Sequence, residues 1–251
     1  LERHAVAPTA PGPLPLDTRT TAVAAFFRAY IADRRLGPGD VLPAETEVAR
    51  ALGISRPSVR EASSRLAALG LISVSMGRRP RVGTLRGGVV RDILQGAVTT
   101  GQADVLDLLG LRRGLEIEMA GLAAAQGGAQ ALPVLRETLT AMAAALRQRE
   151  TYSALDLRFH SLLATATGNP LFALFIQDMH LAMLDSIAIG LRSRAGEAEL
   201  ARVQAVHAMI LDAVAARDVA AARAAMTTHF DEAADAVRRQ MTPNDHRRDP
   251  S

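Results

Sequence analysis

The apolar positions of this chain keep a helical period over most of its length, broken by one short stretch of strand-like alternation. Between Thr18 and Arg35, Val23, Phe26, Phe27, Tyr30 and Ile31 fall at helical spacing, and Gly37-Pro38-Gly39 stops the pattern. A short helix is predicted from Ala44 to Leu52, with Glu45 and Glu47 in its electropositive first turn and Gly53 just past its end. Ser55 is suited to cap the next helix, Arg56 to Leu69, whose buried stripe would be Val59, Ala62, Leu66 and Leu69. Leu71-Ile72-Ser73-Val74-Ser75 alternates as a strand, residues 76–80 turn, and Arg81-Val82-Gly83-Thr84 returns. Three helices and a small hairpin in this order predict a winged helix-turn-helix over residues 17–86.

The segment 87–102 opens on a glycine pair and reads as a flexible linker carrying a short connecting helix. From Ala103 to about Gln240 the pattern is helical, with breaks near Gly127-Gly128, Gly168-Asn169-Pro170, Arg194-Ala195-Gly196 and Arg217-Asp218. Five or six helices over residues 103–240 describe an all-α bundle, so the predicted fold is mainly α. Residues 1–16, rich in Pro and Ala, read as a mobile arm, and residues 241–251 as a frayed tail.

Composition sharpens this picture. Ala, Leu and Val rather than aromatics supply the hydrophobicity, which suits packed helices over a β-sandwich. The absence of cysteine excludes disulfides and thiolate metal sites. No apolar run is long enough to span a bilayer and no signal-peptide pattern stands out, so the expectation is a cytoplasmic protein without a membrane partner. All 29 basic residues are arginine. Residues 1–86 carry 13 of them against 7 acidic residues, whereas residues 87–240 carry 14 against 17. A basic module joined to a mildly acidic one suits a protein that touches a polyanion with one half only.

The candidate DNA contacts follow from that placement. In a helix-turn-helix the second helix presents its first turns to the major groove. Arg56, Ser58 and Arg60 lie at the start of that helix, off the apolar stripe. An arginine fork there can donate two bonds to guanine, while the helix start with Ser58 can hold a phosphate. Arg78, Arg79 and Arg81 around Pro80 would make the hairpin turn a cationic tip for minor groove or backbone.

Residues 39–45 (GDVLPAE), 52–56 (LGISR), 59–62 (VREA) and 69–72 (LGLI) resemble the signature of the GntR family over about residues 20–84, in one ungapped run. The resemblance implies a homodimer bound to a palindromic double-stranded DNA operator, with Arg56 and Arg60 as principal contacts and Gly77 at a wing tip entering the minor groove. Thr46 stands where the family usually has an arginine, so a contact from the second helix is weakened or lost. Ser63 replaces a usual leucine, which implies looser packing.

The helical half carries its own candidates. Asp156 and His160 lie four apart and share a helical face, and His207 and His229 sit in separate later helices among apolar neighbours. Three imidazoles and a carboxylate suffice for Zn²⁺, Ni²⁺ or Mn²⁺ with open positions, although scattered histidines in a bundle are more often satisfied core residues than ligands. The run D-x₂-F-H-x₂-L…G-N-P, the later V-H-A-x-I-L-D-A-V…M-x₂-H, and Leu111-Arg112-Arg113-Gly114-Leu115-Glu116 resemble the FCD effector domain of the FadR subgroup of GntR regulators. In metal-containing members the ligands are one Asp and three His, which fall here on Asp156, His160, His207 and His229. Arg112 is a candidate contact for a small carboxylate effector, or else an internal ion pair with Glu116 one turn on. His180 either lines the same cavity or is a plain helix residue.

These readings describe a ligand-responsive transcription regulator of the repressor type rather than an enzyme. A metal-dependent hydrolase could use the same Asp/His cluster, but no HExxH-type motif or further base-like carboxylate accompanies it. A metal sensor, with the ion itself as signal, is the other alternative.

Overall fold

The computed structural model describes residues 16–84, 87–128, 130–183 and 197–239. The expected arm (apart from Leu16), the tail and the break at Arg194-Ala195-Gly196 lie outside them. The chain divides into two compact units, Leu1–Arg86 and Gly87–Ser251.

In the first unit α1 spans Leu16–Arg34, α2 Glu45–Leu52 and α3 Arg56–Ala68. Ser55 caps α3, its side chain accepting from the Ser58 amide at 3.3 Å, and Gly53 closes α2 in the left-handed region at φ 65°. The strands β1 (Ile72–Ser73) and β2 (Arg81–Val82) pair antiparallel, Ile72 opposite Val82. Val41 bridges to Arg81, so the segment before α2 forms a third edge of the hairpin. Val23, Phe27, Leu42, Val48, Val59, Ala62, Leu66 and Ile72 form one buried core. Leu69 departs from the expected stripe: α3 has ended at Ala68, and Leu69 is half exposed as the cap residue.

In the second unit α4 spans Val89–Thr99, α5 Val105–Gln126, α6 Leu132–Ala144, α7 Arg149–Ala166, α8 Pro170–Ala182, α9 Glu197–Ala215 and α10 Val219–Arg238. Asp104, Asn169 and Asp218 cap α5, α8 and α10 with side-chain oxygens, each at or beside a predicted break or start. The break between α6 and α7 carries neither Gly nor Pro, which is why the sequence pattern gave no sign of it. α5 lies along α10, α10 along α9, and α7 between α6 and α8. Alanines at 120, 123, 124, 222 and 225 let these backbones approach closely around Met119, Phe159, Leu163, Ile210, Met226 and Phe230. Among the described residues no helix is long and apolar enough to cross a membrane.

Candidate DNA-reading surface and metal centre

A shallow groove of about 600 Å³ runs between the start of α2, the outer face of α3 and the hairpin tip. Thr46, Arg56, Arg60, Met76, Gly77, Arg78 and Arg79 line it. Arg60 Nε lies 3.2 Å from Glu45 and Arg79 Nη2 2.6 Å from Glu47, so two of the four arginines are held by exposed ion pairs to α2. Arg56 and Arg78 have no acidic partner among the described residues. Gly77 takes φ 70° at the tip, a left-handed conformation that costs a side-chain-bearing residue strain.

Two expected contacts are placed differently. Ser58 is not on the open face of α3: it is 8% exposed, shares a 2.8 Å hydroxyl contact with Ser55 and accepts from Arg19 Nη1 at 3.0 Å. Its hydroxyl is engaged in joining α1 to the start of α3. Arg81 belongs to β2 rather than the tip, and its guanidinium donates to the Gly39 carbonyl at 2.8 Å, tying the hairpin base to the segment before α2. Ser63 is buried at 1% with no partner for its hydroxyl among the described residues.

The second cluster is in the helical unit. α7 contributes Asp156 and His160, α9 His207 and α10 His229, and all four side chains are buried. Ligating atoms of the three histidines lie within 4.8 Å of one another. Asp156 Oδ1 is 3.0 Å from His207 Nε2 and 3.9 Å from His160 Nε2. His207 Nδ1 donates to the Val203 carbonyl at 3.0 Å, which fixes the tautomer and turns Nε2 inward as a lone pair. Neither His207 Nε2 nor His160 Nε2 has a hydrogen-bond partner among the described residues, and at His207 the lone pair beside Asp156 has no proton to donate to the carboxylate. Buried orphan nitrogens are costly, and converging beside a carboxylate they are the donor set a divalent cation needs. Burial, with His207 and His160 alongside, holds His229 well below its ordinary pKa and so in the neutral form that ligates. Against the effect of burial, the surrounding imidazoles keep Asp156 ionised far below the usual carboxylate range.

Arg112 and Glu116 of α5 and His180 of α8 adjoin this cluster, all of them buried. Arg112 Nε donates to Glu116 Oε1 at 2.8 Å, and its Nη2 contacts His180 Nε2. Among the described residues the one hydrogen-bond partner of Arg112 Nη1 is the Met183 sulfur, 3.9 Å away, and the guanidinium lies over the Phe230 ring at 5.3 Å. Glu116 Oε2 contacts His160 Nδ1. Burial would raise the Glu116 pKa, but Arg112 and His160 hold it well below the usual range. Glu116, His160 and His180 also converge closely enough to hold a cation, but the Arg112 guanidinium already supplies the positive charge there.

Residues 19–85 match the model of the bacterial regulatory proteins of the gntR family, and residues 107–232 match that of the FCD domain. The chain is a GntR-family transcriptional regulator. It is 30% identical over 82% of its length to the HTH-type transcriptional regulator LutR of Bacillus subtilis, covering 95% of that protein. To the HTH-type transcriptional repressor NanR of Salmonella newport it is 29% identical over 80% of its length and 78% of the relative. A solved GntR protein of Streptococcus agalactiae shares the fold, with a TM-score of 0.61 at 22% identity, over 86% of this chain and 99% of that one. These relatives are transcriptional regulators and not enzymes, and this regulator belongs with them.

Within the regulator, Glu116 belongs to the buried cluster as well as to the ion pair. It was visible only as a partner for Arg112 one turn away. Its contact with His160 comes from a helix about forty residues later, and no local pattern announces it. An acidic residue at the apolar-flanked position Leu115-Glu116-Ile117 is the one signal that could have flagged it.

Proposed function

We propose that this regulator binds a palindromic operator as a homodimer, most simply as a repressor, and that a small carboxylate bound beside a divalent metal ion sets its affinity for DNA. Asp156, His160, His207 and His229 would hold Zn²⁺, Ni²⁺ or Mn²⁺, leaving coordination positions open. The observation that carries the reading is the convergence of three buried histidines from three helices, with the orphaned Nε2 atoms of His160 and His207 beside the buried Asp156 carboxylate. Arg112 Nη1, a charged donor whose one hydrogen-bond partner among the described residues is a weakly accepting thioether, supports an anionic ligand over a bare metal signal, because a carboxylate is a far stronger acceptor.

The DNA side of the reading rests on the arginine-lined groove. Arg56 and Arg60 would read major-groove edges, Arg78 and Arg79 would neutralise phosphates near the wing, Gly77 would let the tip approach closely, and Thr46 would add at most a weak contact. Two half-sites about one helical turn apart need two reading heads, which is the physical reason for a dimer. Ser58 and Arg81 would contribute through the integrity of the unit rather than by touching DNA.

The test has two arms. Elemental analysis of protein purified without chelator should find about one divalent ion per chain, lost in a His207→Ala variant. Thermal shifts against a panel of carboxylates should then rise for the metal-loaded protein only, with a matching change in operator affinity. An operator response to metal alone, indifferent to every acid, would favour a metal sensor. No metal together with a normal acid response in His207→Ala would sink the reading.

A further inference from the structure

The glycine pair at the head of the helical unit is not a loose hinge. Asp178, on α8, is 1% exposed, and both its oxygens accept from the Gly88 amide, at 2.8 and 2.7 Å. Oδ2 also lies 3.4 Å from the Arg91 amide. A carboxylate from ninety residues away therefore does the work of an N-cap for α4, meeting the positive end of that helix. The glycines are fitted to it. A Cβ at Gly87 would stand 2.4 Å from Asp178 Oδ1, and Gly88 takes φ 120°, a conformation that only glycine adopts readily.

α4 depends on this contact. It has eleven residues and buries none of them fully; Leu94 and Val98 are partly covered, and Ile93 is 65% exposed. A helix so short and so lightly packed is marginal by itself, and the cap is its strongest polar tether. The helix that supplies the cap also carries a member of the buried Arg112–Glu116 cluster. His180 lies two residues beyond Asp178, about 200° round the axis, where its buried ring touches Arg112 and approaches Glu116 to 3.5 Å. One helix thus carries, on opposite faces, a residue of that cluster and the anchor of the segment that continues from the DNA-reading unit.

We propose that Asp178 is the joint through which the state of the Arg112–His180 contact reaches α4 and, along the chain, the winged unit. This rests on the reading that a ligand in the helical unit controls DNA binding. A displacement of α8 that follows a change at His180 moves the Asp178 carboxylate with it, since both ride on one rigid helix. The start of α4 then either keeps its cap or loses it. That gives two arrangements which a ligand can bias by its relative affinity for each.

The experiment uses the full chain and amide hydrogen exchange, with Asp178→Ala, His180→Gln and the double variant. His180→Gln should speed exchange over residues 88–92 several-fold in the wild-type background and add nothing in Asp178→Ala, while α5 and α10 stay protected in all three. In parallel, zinc affinity and operator affinity are measured on chelator-stripped and zinc-loaded protein, with an operator selected from random DNA. Asp178→Ala should bind zinc as the wild type does and lose the change in operator affinity that zinc produces in the wild type; where zinc alone produces none, the exchange arm decides the joint. Unaltered α4 exchange in His180→Gln, or a full zinc response retained in Asp178→Ala, overturns the joint. Wild-type protein that takes up no zinc overturns the metal reading instead, and the exchange arm then decides the joint alone. Should Asp178→Ala fail to fold, Asp178→Asn takes its place, since it keeps one acceptor and should show a partial effect in the same direction.

Discussion

Arg112 Nε lies 2.8 Å from Glu116 Oε1 in the interior of the helical unit, with both side chains nearly inaccessible to water. The two sequence readings of Arg112, internal ion pair and ligand contact, concern different atoms of one guanidinium. Nε is committed to Glu116, whereas among the described residues Nη1 has only the Met183 sulfur as a hydrogen-bond partner. A buried pair of this kind gives a sharp stability signature. Arg112→Met or Glu116→Gln alone should cost about 3–5 kcal/mol, because each leaves a charge buried without its partner, and the double variant should recover much of that. Urea unfolding of the four proteins measures it. Additive losses would mean that the two groups do not share one ion pair.

The DNA surface predicts graded losses. Arg56→Ala should reduce specific operator binding by about 1–3 kcal/mol without altering the fold, since no other described side chain depends on it. Arg60→Ala should cost less, because the free protein already engages that guanidinium with Glu45. Arg79→Ala should weaken binding to all sequences and reduce the salt slope by about one phosphate contact. Titrations at several salt concentrations check all three; unchanged specific binding in both α3 variants would remove α3 as the reading helix.

Ser58 and Arg81 should behave as structural residues. Ser58→Ala removes the acceptor of Arg19 and the partner of Ser55, and should lower stability by about 1 kcal/mol. The salt slope of DNA binding should be unchanged in that variant. A changed slope at unchanged stability would return Ser58 to the phosphate contacts.

Acid should destabilise the metal-stripped protein. Burial, with Arg112 alongside, pushes His180 down from its ordinary 6.5 to about 4, and His229 moves in the same direction. Between those values the unfolded chain takes up protons that the folded chain refuses. The stability present above pH 6.5 is therefore lost as the pH falls toward about 4. His160 moves the other way: burial lowers it, but Glu116 raises it further, so its contribution is held below 6.5 and lost above. With two histidines against one, urea midpoints should fall from about pH 7 to about pH 5, and His180→Gln should shrink the fall. A flat or rising profile would contradict the arrangement of charges around Glu116.

Dimerisation should reside in the acidic helical unit, since two basic winged units repel one another. Sedimentation of residues 17–86 should show a monomer at micromolar concentration, where the full chain should sediment as a dimer. A dimeric fragment would move the interface to the winged unit.

Much of the local structure could be read directly from the sequence. Gly53, Ser55, Asn169 and Asp218 act within a few residues of themselves, so their cap chemistry is written where it operates. The apolar period of Val59, Ala62 and Leu66 likewise determined which face of α3 turns inward. The family resemblance could single out Asp156, His160, His207 and His229, but only packing of α7, α9 and α10 brings the donor atoms of the three histidines together, with Asp156 beside two of them. Tertiary structure alone took Ser58 off the surface, gave Glu116 its contact with His160, and turned Gly87-Gly88 from a supposed hinge into the seat of Asp178. The reason is physical. Capping and amphipathicity depend on neighbours within a turn or two, whereas a buried charge finds its partner across the core, where sequence distance carries no information.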